Sequence, residues 1–461
     1  MKDCHVLLVM YPAQGQINPC LQFAKRLAKL GVKITFMTSI SAINRMQESI
    51  EGVDFATFSD GYDAGFKGSM EDEYPEFYAS LKARGSKAVA DLIAAKRENG
   101  SPFSRVIYTT VMPWVGLLAG ILQVPSTLLW VQAATIFDIF YYYFTGDEER
   151  FRSCTGDNDG VVELGGLMAL SPREFPSYLL AEASNATDFM IAQLMKDHVE
   201  LIKKEGRPKV LVNTFDALEF EALRVIEKVG LVGIGPLAPP AAYLDGVDPY
   251  CDGREKGNDY VEWLDSQAKG SVIYVAFGSY SDVPNQMMEE IAQGLVQTGR
   301  PFLWVMREGG NGENPEEKLS CKEDVEKQGK IVRWCSQAEV LQHFSVGCFV
   351  SHCGWNSTLE ALTYGVPIVG CPLWTDQGCN SKLIQDVWKT GVRVNVNVKG
   401  IVEANELKRC IECIMGEGEI AQGLRNNATK FKALAKEAMR EDGSSNVNLK
   451  AYVEEVLLGL V

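Results

Sequence analysis

The residues from His352 to Thr358 read HCGWNST and lie between an apolar segment, VGCFVS, and a helical pattern that begins at Asn356. VGCFVS has the composition of a buried strand, so the run lies where a strand turns into a helix. The first turn of a helix exposes unpaired N–H groups and the positive end of the helix dipole. Gly354 permits close approach of a ligand, and the side chains of Asn356 and Ser357 add hydrogen-bond donors. We therefore predict an anion site here, suited to a phosphate or diphosphate.

Two other phosphate-binding motifs are absent from the sequence. No Gly-Lys-Ser or Gly-Lys-Thr follows a glycine-rich loop, as a P-loop requires. Residues 233–238, GIGPLA, begin like a dinucleotide fingerprint but continue into prolines rather than into a helix. Taken alone, Asn356 and Ser357 could also be an ordinary helix cap, so the wider sequence has to distinguish the two interpretations.

A second segment with chemical interest is YPAQGQINP, residues 11–19. It follows the apolar strand pattern HVLLVMY and precedes apolar residues at helical spacing, so we predict a loop with Gln16 at its centre. In an enzyme, a side chain at this position would face the ligand. The amide of glutamine neither accepts nor releases a proton near neutral pH. Gln16 therefore stands where a reactive side chain would face a cleft, although its own amide is a poor acid and a poor base.

Strands alternate with helices in both halves of the chain, which predicts an α/β fold with two parallel sheets, each covered on both faces. The alternation breaks at residues 236–257, which are rich in proline, glycine and aspartate, as is typical of a linker. We predict an N-terminal α/β domain over residues 1–240, a linker over 241–257, a C-terminal α/β domain over 258–440 and a final helix over 441–461. Ligands bind at the carboxyl ends of parallel strands, so two facing sheets predict a site in the cleft between them.

The composition excludes several classes of partner. The chain has 461 residues and a net charge of −15, which disfavours nucleic acid and anionic membranes because both require basic patches. Its 12 cysteines show no disulfide framework, and the first residues contain no apolar run long enough for a signal peptide. We therefore expect a cytoplasmic protein. Residues 106–137 contain no charge, but Pro113, Gln123 and Pro125 interrupt them, which favours a buried strand, helix and strand over a transmembrane span.

The 44-residue run from Trp334 to Gln377 resembles, nearly position for position, the signature box of plant family-1 UDP-glycosyltransferases. It begins with Trp-Cys and ends with Trp-x-Asp-Gln. The resemblance extends to HVLLVMYPAQGQINP near the start, to VIYVAFGS at residues 272–279 and to the helical C-terminus after GVRV. Within the family, the sequence is most similar to the subgroup with crocetin, abscisate and anthocyanin 5-O glucosyltransferases. The resemblance implies the GT-B fold, in which two Rossmann-like domains face one another across a cleft.

The resemblance also implies a role for each residue of a donor site. Trp334 would stack on uracil, and the backbone of Cys335 would contact the edge of the base. The ribose would be bound by Gln337 and Glu360. The diphosphate would be bound by His352, Asn356, Ser357 and Ser279. The sugar would be bound by Trp355, Asp376 and Gln377. In this family a final glutamine rather than histidine favours glucose, so Gln377 indicates UDP-glucose as the co-substrate.

No metal or other cofactor is expected, because the helix dipole and His352 can stabilise the leaving UDP. Residues 157–159 have the Asp-x-Asp spacing of metal-dependent glycosyltransferases of another fold, but they lie in a polar loop without an adjacent strand, which favours a solvated turn. Cys410 and Cys413 form a CxxC in a helical pattern without a second pair, so we predict no metal there either.

The catalytic pair of the family is altered in this sequence. In the family, a histidine in PAQGHINP accepts the proton of the acceptor hydroxyl, and an aspartate orients it. Those two positions are Gln16 and Thr109 here, and loss of a positioned general base costs about 10²- to 10⁴-fold in rate. Three explanations remain open: Gln16 replaces a natural histidine and impairs the enzyme; the acceptor is a carboxylic acid that needs no base; or the chain binds UDP-sugar without catalysis.

The acceptor side is less specific. Residues 134–144, ATIFDIFYYYF, contain six aromatic rings. We expect some of them to pack in the core and others to line an apolar pocket for the acceptor. Our candidates for the pocket are Phe137, Phe140 and Tyr141. We predict a monomer that transfers glucose with inversion to a hydroxyl or carboxyl of a small aromatic or terpenoid metabolite. The product would be a β-glucoside or a glucose ester.

Overall fold

The computed structural model describes residues 4–46, 50–69, 72–154, 160–180, 186–238, 259–278, 283–307 and 314–459. These residues form two compact units. Unit 1 contains the described residues up to Ala238 and those from Glu437 onwards, and unit 2 contains those between, up to Lys436. The predicted linker, residues 241–257, lies outside the described residues.

The sheet of unit 1 has seven parallel strands: β1 (His5–Val9), β2 (Lys33–Ser39), β3 (Val53–Phe58), β4 (Arg105–Thr109), β5 (Ser126–Trp130), β6 (Lys209–Val212) and β7 (Gly230–Gly233). Their order in the sheet is β3-β2-β1-β4-β5-β6-β7. The interior strand β1 is buried along its whole length, as its apolar sequence predicts for a sheet covered on both faces. Val9 of β1 pairs with Tyr108 of β4, so the segments after these two strands begin side by side.

Helices cover both faces of this sheet: α1 (Gln14–Lys29), α2 (Ile40–Ile43), α3 (Tyr74–Glu98), α4 (Pro113–Ile121), α5 (Ala134–Tyr142), α6 (Glu148–Ser153), α7 (Ala186–Lys203) and α8 (Ala222–Val225). Shorter helical turns span Tyr143–Asp147, Pro172–Glu174 and Ser177–Leu180. The predicted helical spacing after β1 is confirmed, because α1 buries Cys20, Phe23, Ala24 and Leu27 in the core of the unit.

The sheet of unit 2 has six parallel strands: β8 (Val272–Ala276), β9 (Phe302–Val305), β10 (Gly329–Val332), β11 (Val346–Ser351), β12 (Ile368–Gly370) and β13 (Gly391–Arg393). Their order is β10-β9-β8-β11-β12-β13. The prediction of two parallel α/β sheets of Rossmann type is therefore confirmed.

The helices of unit 2 are α9 (Asp259–Asp265), α10 (Asn285–Thr298), α11 (Lys322–Gln328), α12 (Gln337–Gln342), α13 (Trp355–Tyr364), α14 (Gln377–Lys382), α15 (Ala404–Met415) and most of α16 (Glu419–Ala438). Shorter helical turns span Pro315–Lys318 and Leu383–Val387. Each strand is thus followed by a segment that returns over the sheet, which brings the carboxyl ends of all six strands to one edge.

The final helix, α17 (Ser444–Tyr452), and the turn Val453–Leu457 pack on the sheet of unit 1. The buried guanidinium of Arg26 in α1 donates to the carbonyl oxygen of Ser445 at 3.1 Å and to Oδ1 of Asn446 at 2.8 Å. The Tyr452 hydroxyl, also buried, bonds Oγ1 of Thr127 at 2.9 Å. Because buried polar groups are costly when unpaired, these bonds fix the helix in one position on the unit.

The charge-free residues 106–137 fold as the sequence predicts. They form β4, α4, β5 and the start of α5 inside unit 1. Within the described part of the chain, no helix has the length and hydropathy needed to cross a membrane.

Candidate functional site

The predicted donor residues of unit 2 follow neighbouring strands of its sheet. Ala276 of β8 pairs with Ser351 of β11, and Ser351 pairs in turn with Gly370 of β12. The segments after β8, β11 and β12 therefore leave the sheet side by side at its carboxyl edge. In open α/β sheets this edge is where ligands bind.

The turn after β11 has an unusual backbone that exposes the start of α13. Cys353 adopts the left-handed region with φ 64°, which is uncommon for a residue other than glycine. Its N–H donates to Oγ of Ser351 at 3.1 Å. Gly354 is the N-cap, and α13 begins at Trp355, one residue earlier than the sequence predicts. No acidic residue lies in the first turn of this helix, so its dipole remains available to an anion.

Two glycines, Gly278 and Gly354, flank the ring of His352. A Cβ atom on Gly278, where φ is 77°, would lie 2.6 Å from Nε2 of His352, and one on Gly354 would lie 2.5 Å from the same atom. A side chain at either position would therefore force the His352 ring to shift. Burial, with a smaller contribution from Arg307, lowers the pKa of His352 to about 4. The imidazole is therefore neutral near pH 7 and offers one N–H to a ligand rather than a positive charge.

The predicted ribose residues are joined by hydrogen bonds. Nε2 of Gln337 donates to Oγ of Ser357 at 3.0 Å and to Oε2 of Glu360 at 2.5 Å. Gln337 is the first residue of α12, and the other two lie on α13, so the amide connects two helices. The fully buried Tyr274 donates a longer bond, 3.4 Å, to Oε1 of Gln337. The orientation of the Gln337 amide is thus fixed by three partners.

Trp334 and Cys335 follow β10 and differ in exposure. The indole of Trp334 is 36% exposed, whereas Cys335 is 6% exposed. Sγ of Cys335 lies 3.4 Å from the Tyr274 hydroxyl. The partly exposed indole can offer a ring face to a planar base, whereas the Cys335 thiol is packed inside the unit.

Two of the residues predicted to bind the sugar, Asp376 and Gln377, lie at the start of α14. Oε1 of Gln377 accepts from the N–H groups of Leu373 at 2.8 Å and Trp374 at 3.0 Å. Because the carbonyl side of the amide is used in this way, its NH₂ side is the one left for a ligand. The buried carboxylate of Asp376 accepts from the Thr375 hydroxyl at 2.9 Å.

Trp355, the other residue predicted to bind the sugar, is buried in the first turn of α13. Its side chain is 4% exposed and packs against Trp388, with ring centroids 6.1 Å apart. Ser279, the remaining predicted donor residue, lies outside the described residues, as do Asp157 and Asp159 of the Asp-x-Asp sequence.

In unit 1, Gln16 lies on a helix and not in the loop that the sequence analysis predicts. Helix α1 begins at Gln14, so Gln16 occupies its first turn and is half-buried. The prediction was wrong because the strand-to-helix connection is only four residues long, from Met10 to Ala13. Oε1 of Gln16 is buried and has no hydrogen-bond partner in the described chain. The amide oxygen is therefore a buried acceptor that is left unpaired in the segment after β1.

Thr109 does not act on Gln16. The Thr109 hydroxyl is fully buried at the end of β4 and accepts a long bond, 3.4 Å, from the N–H of Tyr11. Among the described residues no hydrogen bond joins it to Gln16. Two residues further on, Val111 has φ 65°, a strained conformation for a β-branched side chain. Strain of this kind is often found at functional sites.

No histidine replaces the missing base in unit 1. Nε2 of His5 bonds Oγ1 of Thr35 at 2.9 Å, at the opposite end of the strands from Gln16. His198 is 1% exposed and stacks on Tyr108 with ring centroids 5.8 Å apart. Burial lowers its pKa to about 3, so it is neutral and inaccessible.

Of the three candidate acceptor residues, two lie in the core. Phe137 and Phe140 are each 1% exposed, and their rings lie 5.4 and 6.1 Å from that of Trp130. Tyr141 is partly exposed. The sequence analysis missed a second group of aromatic residues, which we call the α3 aromatic cluster; it consists of Tyr11, Tyr62, Phe66, Tyr74, Phe77 and Tyr78. Tyr62 and Phe66 are partly exposed, and Tyr11 lies at the carboxyl end of β1, five residues before Gln16.

The described residues contain no group of three or more histidine, cysteine, aspartate and glutamate side chains that could bind a metal ion. Cys410 of the CxxC is fully buried in α15, where Arg409 donates to its Sγ at 3.3 Å.

Comparison with known proteins agrees with this geometry. Residues 186–422 match the family model described as UDP-glucoronosyl and UDP-glucosyl transferase. The chain is 50% identical to crocetin glucosyltransferase, chloroplastic, of Gardenia jasminoides, covering 98% of this chain and 97% of that protein. It is 46% identical to anthocyanidin 3-O-glucoside 5-O-glucosyltransferase of Verbena hybrida, covering 99% and 100%.

A solved structure of Os79 from O. sativa, in complex with UDP and deoxynivalenol-3-glucoside, superposes with a TM-score of 0.80. The two chains are 32% identical, and the match covers 96% of this chain and 98% of that one. The fold is therefore GT-B. The chain belongs to the UDP-glucoronosyl and UDP-glucosyl transferase family, as a plant UDP-glucose-dependent glucosyltransferase of the subgroup with the crocetin and anthocyanin 5-O enzymes.

Proposed function

We propose that this chain transfers glucose from UDP-glucose, with inversion, to a small lipophilic metabolite, and that Gln16 restricts efficient transfer to carboxylate acceptors. Unit 2 binds the donor through the residues around α13, and unit 1 binds the acceptor. The observation that supports the restriction is that Oε1 of Gln16 is buried without a partner, while no histidine of unit 1 is free to act in its place.

The reaction requires one displacement. An acceptor oxygen forms a bond to the anomeric carbon as the bond from that carbon to the diphosphate oxygen breaks, and UDP leaves with the electron pair. The α-linked glucose of the donor becomes β-linked in the product. The first turn of α13 and the N–H of His352 stabilise the charge that develops on the departing diphosphate.

Whether the acceptor carries a proton determines which acceptor groups can react beside Gln16. A hydroxyl acceptor must lose a proton as it attacks, and an amide cannot accept it. A carboxylic acid has a pKa near 4 and is already ionised at pH 7, so its transfer involves no proton. We therefore expect glucose esters to form readily, and hydroxyl acceptors to react about 10²- to 10⁴-fold more slowly than with a positioned base.

For the acceptor surface, we propose the α3 aromatic cluster together with Tyr141. The partly exposed rings of Tyr62 and Phe66 suit a flat, apolar molecule, and Tyr11 connects them to the strand that precedes Gln16. Crocetin, phloretin and anthocyanidin glucosides appear in the names of similar enzymes, which supports a lipophilic metabolite without selecting one. A cytoplasmic location agrees with the free cysteines of the described chain.

The test compares the chain with Gln16→His on one carboxylic and one phenolic acceptor. We expect the chain itself to esterify the acid, and Gln16→His to raise kcat on the phenol by roughly 10²-fold or more while changing the ester rate little. Gln16→Asn, which shortens the amide without adding a base, is the matched control. Equal gains on both acceptors would refute the carboxylate restriction.

A second function, UDP-sugar binding without turnover, is supported by the lack, among the described residues, of a hydrogen bond between Gln16 and Thr109. This second function predicts that neither the chain itself nor Gln16→His produces a glucoside or an ester, although calorimetry detects UDP-glucose binding to both proteins.

A further inference from the structure

Asn380 lies three residues beyond the Trp334–Gln377 signature box and connects two parts of the donor site. It is fully buried in α14, four residues after Asp376. Its Nδ2 donates to the carbonyl oxygen of Cys353 at 2.9 Å and to Oδ2 of Asp376 at 2.9 Å. One NH₂ group thus joins the turn after β11 to the carboxylate at the start of α14.

The first of these bonds acts on the turn that precedes α13. Cys353 has φ 64°, a conformation that needs support in a residue other than glycine. Ser351 bonds the N–H of Cys353, and Asn380 bonds its carbonyl oxygen. Both peptide groups of the turn are therefore fixed, and with them the neighbouring His352 and Gly354.

The second bond acts on the carboxylate of Asp376. Thr375 donates to Oδ1 and Asn380 to Oδ2, so each oxygen has a donor on a different side. Two such bonds determine the rotation of the carboxylate, and hence the direction in which its remaining lone pairs point.

The carbonyl side of the Asn380 amide has no comparable use. Its Oδ1 is buried and has no hydrogen-bond partner in the described chain. An unpaired buried acceptor destabilises a protein, so a side chain needed only for packing would be expected to lack one. The presence of an amide at residue 380 is therefore better explained by the two hydrogen bonds that its Nδ2 donates than by packing.

We propose that Asn380 is a positioning residue that orients Asp376 toward the sugar of the donor and holds that carboxylate in register with the diphosphate turn. This inference rests on the proposed role of Asp376 in binding glucose. Because Asn380 acts through Asp376, its loss should weaken the binding of UDP-glucose more than that of UDP, which has no sugar.

The experiment measures dissociation constants for UDP and UDP-glucose by calorimetry, so it does not depend on turnover. The variants are Asn380→Asp, Asn380→Ser, Asp376→Asn and the double variant Asp376→Asn/Asn380→Ser. Asn380→Asp keeps the shape but removes both donors, and Asn380→Ser avoids a new charge in case the first variant does not fold. Asn427→Ala is the matched control, because its exposed amide donates to the carbonyl oxygen of Lys389 in the same unit.

We expect Asp376→Asn and each Asn380 variant to raise the ratio of the UDP-glucose to the UDP dissociation constant by roughly 5-fold or more, the effect of one lost hydrogen bond. The double variant should show no larger ratio than Asp376→Asn alone, because residues that act in series are not additive. Asn427→Ala should leave the ratio unchanged.

Three results would overturn the inference, and they separate its failure from that of the proposed site. If Asp376→Asn raises the ratio but the Asn380 variants do not, Asn380 has no positioning role. If the Asn380 variants weaken both ligands equally, with a matching loss in Tm, its role is structural. If Asp376→Asn leaves the ratio unchanged, Asp376 does not bind the sugar and the proposed donor site fails with the inference.

Discussion

Replacing Trp334 by alanine tests the nucleotide half of the donor site directly. The indole follows β10, is 36% exposed, and makes no ring contact with another aromatic residue in the described chain. Stacking of a base on an aromatic side chain contributes about 1–3 kcal/mol. Since about 1.4 kcal/mol corresponds to a tenfold change in affinity, we expect Trp334→Ala to weaken UDP binding about 5- to 150-fold.

Calorimetry with UDP rather than UDP-glucose isolates this effect from the sugar contacts. Trp334→Phe keeps an aromatic face and should lose less than about 3-fold. Phe344→Ala is the matched control, because Phe344 is 52% exposed but precedes β11, at the opposite edge of the same sheet. If Trp334→Ala changes the UDP dissociation constant by less than 2-fold while the protein remains folded, uracil does not stack on this residue.

Two further predictions concern buried histidines. Burial lowers the pKa of His198 to about 3, whereas a histidine in the unfolded chain has a pKa of about 6.5. Between these two values the unfolded chain binds a proton that the folded chain does not. The free energy of unfolding therefore falls by about 1.4 kcal/mol for each pH unit as the pH drops from 6.5 towards 3. His198→Phe keeps a ring stacked on Tyr108 but has no group to protonate. In urea titrations, its free energy of unfolding relative to that of the unchanged chain should be higher at pH 5 than at pH 7. The same difference at both pH values would contradict a lowered pKa for His198. Gly354→Ala should displace the His352 ring, whose Nε2 would lie 2.5 Å from the new Cβ, and lower kcat/KM for UDP-glucose about 10- to 100-fold. Its Tm should change little because φ of Gly354, −59°, suits alanine, and a large loss of Tm would show that the ring cannot move.

The features predicted well from sequence are those determined by local signals. Continuous apolar runs such as VGCFVS predict buried parallel strands, and the change from this pattern to helical spacing locates α13 within one residue. The predicted donor residues of the Trp334–Gln377 box lie on segments that follow strands of one sheet, and the carboxyl ends of parallel strands must meet at one edge. Their use by a donor stays a prediction.

The features that could not be predicted depend on contacts between distant segments. Asn380 gains its importance from the carbonyl of Cys353, 27 residues away in sequence. The α3 aromatic cluster combines Tyr11 with residues 62–78, and neither segment is distinctive alone. Phe137 and Phe140 were assigned to a pocket because helical spacing gives the face of a helix but not what covers it, and α5 is buried from Ala134 to Phe140.

The two halves of the reaction are not equally dependent on the missing base. In the proposed mechanism, departure of UDP is assisted by α13, by the neutral His352 and by residues whose orientation is fixed by Gln337 and Asn380. None of these groups needs to change its protonation. Only activation of the nucleophile requires a proton acceptor, and only for a hydroxyl. In the proposed function, a hydroxyl meets an amide that cannot accept its proton, whereas a carboxylate is already charged and needs no proton acceptor. If Gln16 acts as we propose, the acceptor, and not the donor site, determines whether this chain is a competent catalyst.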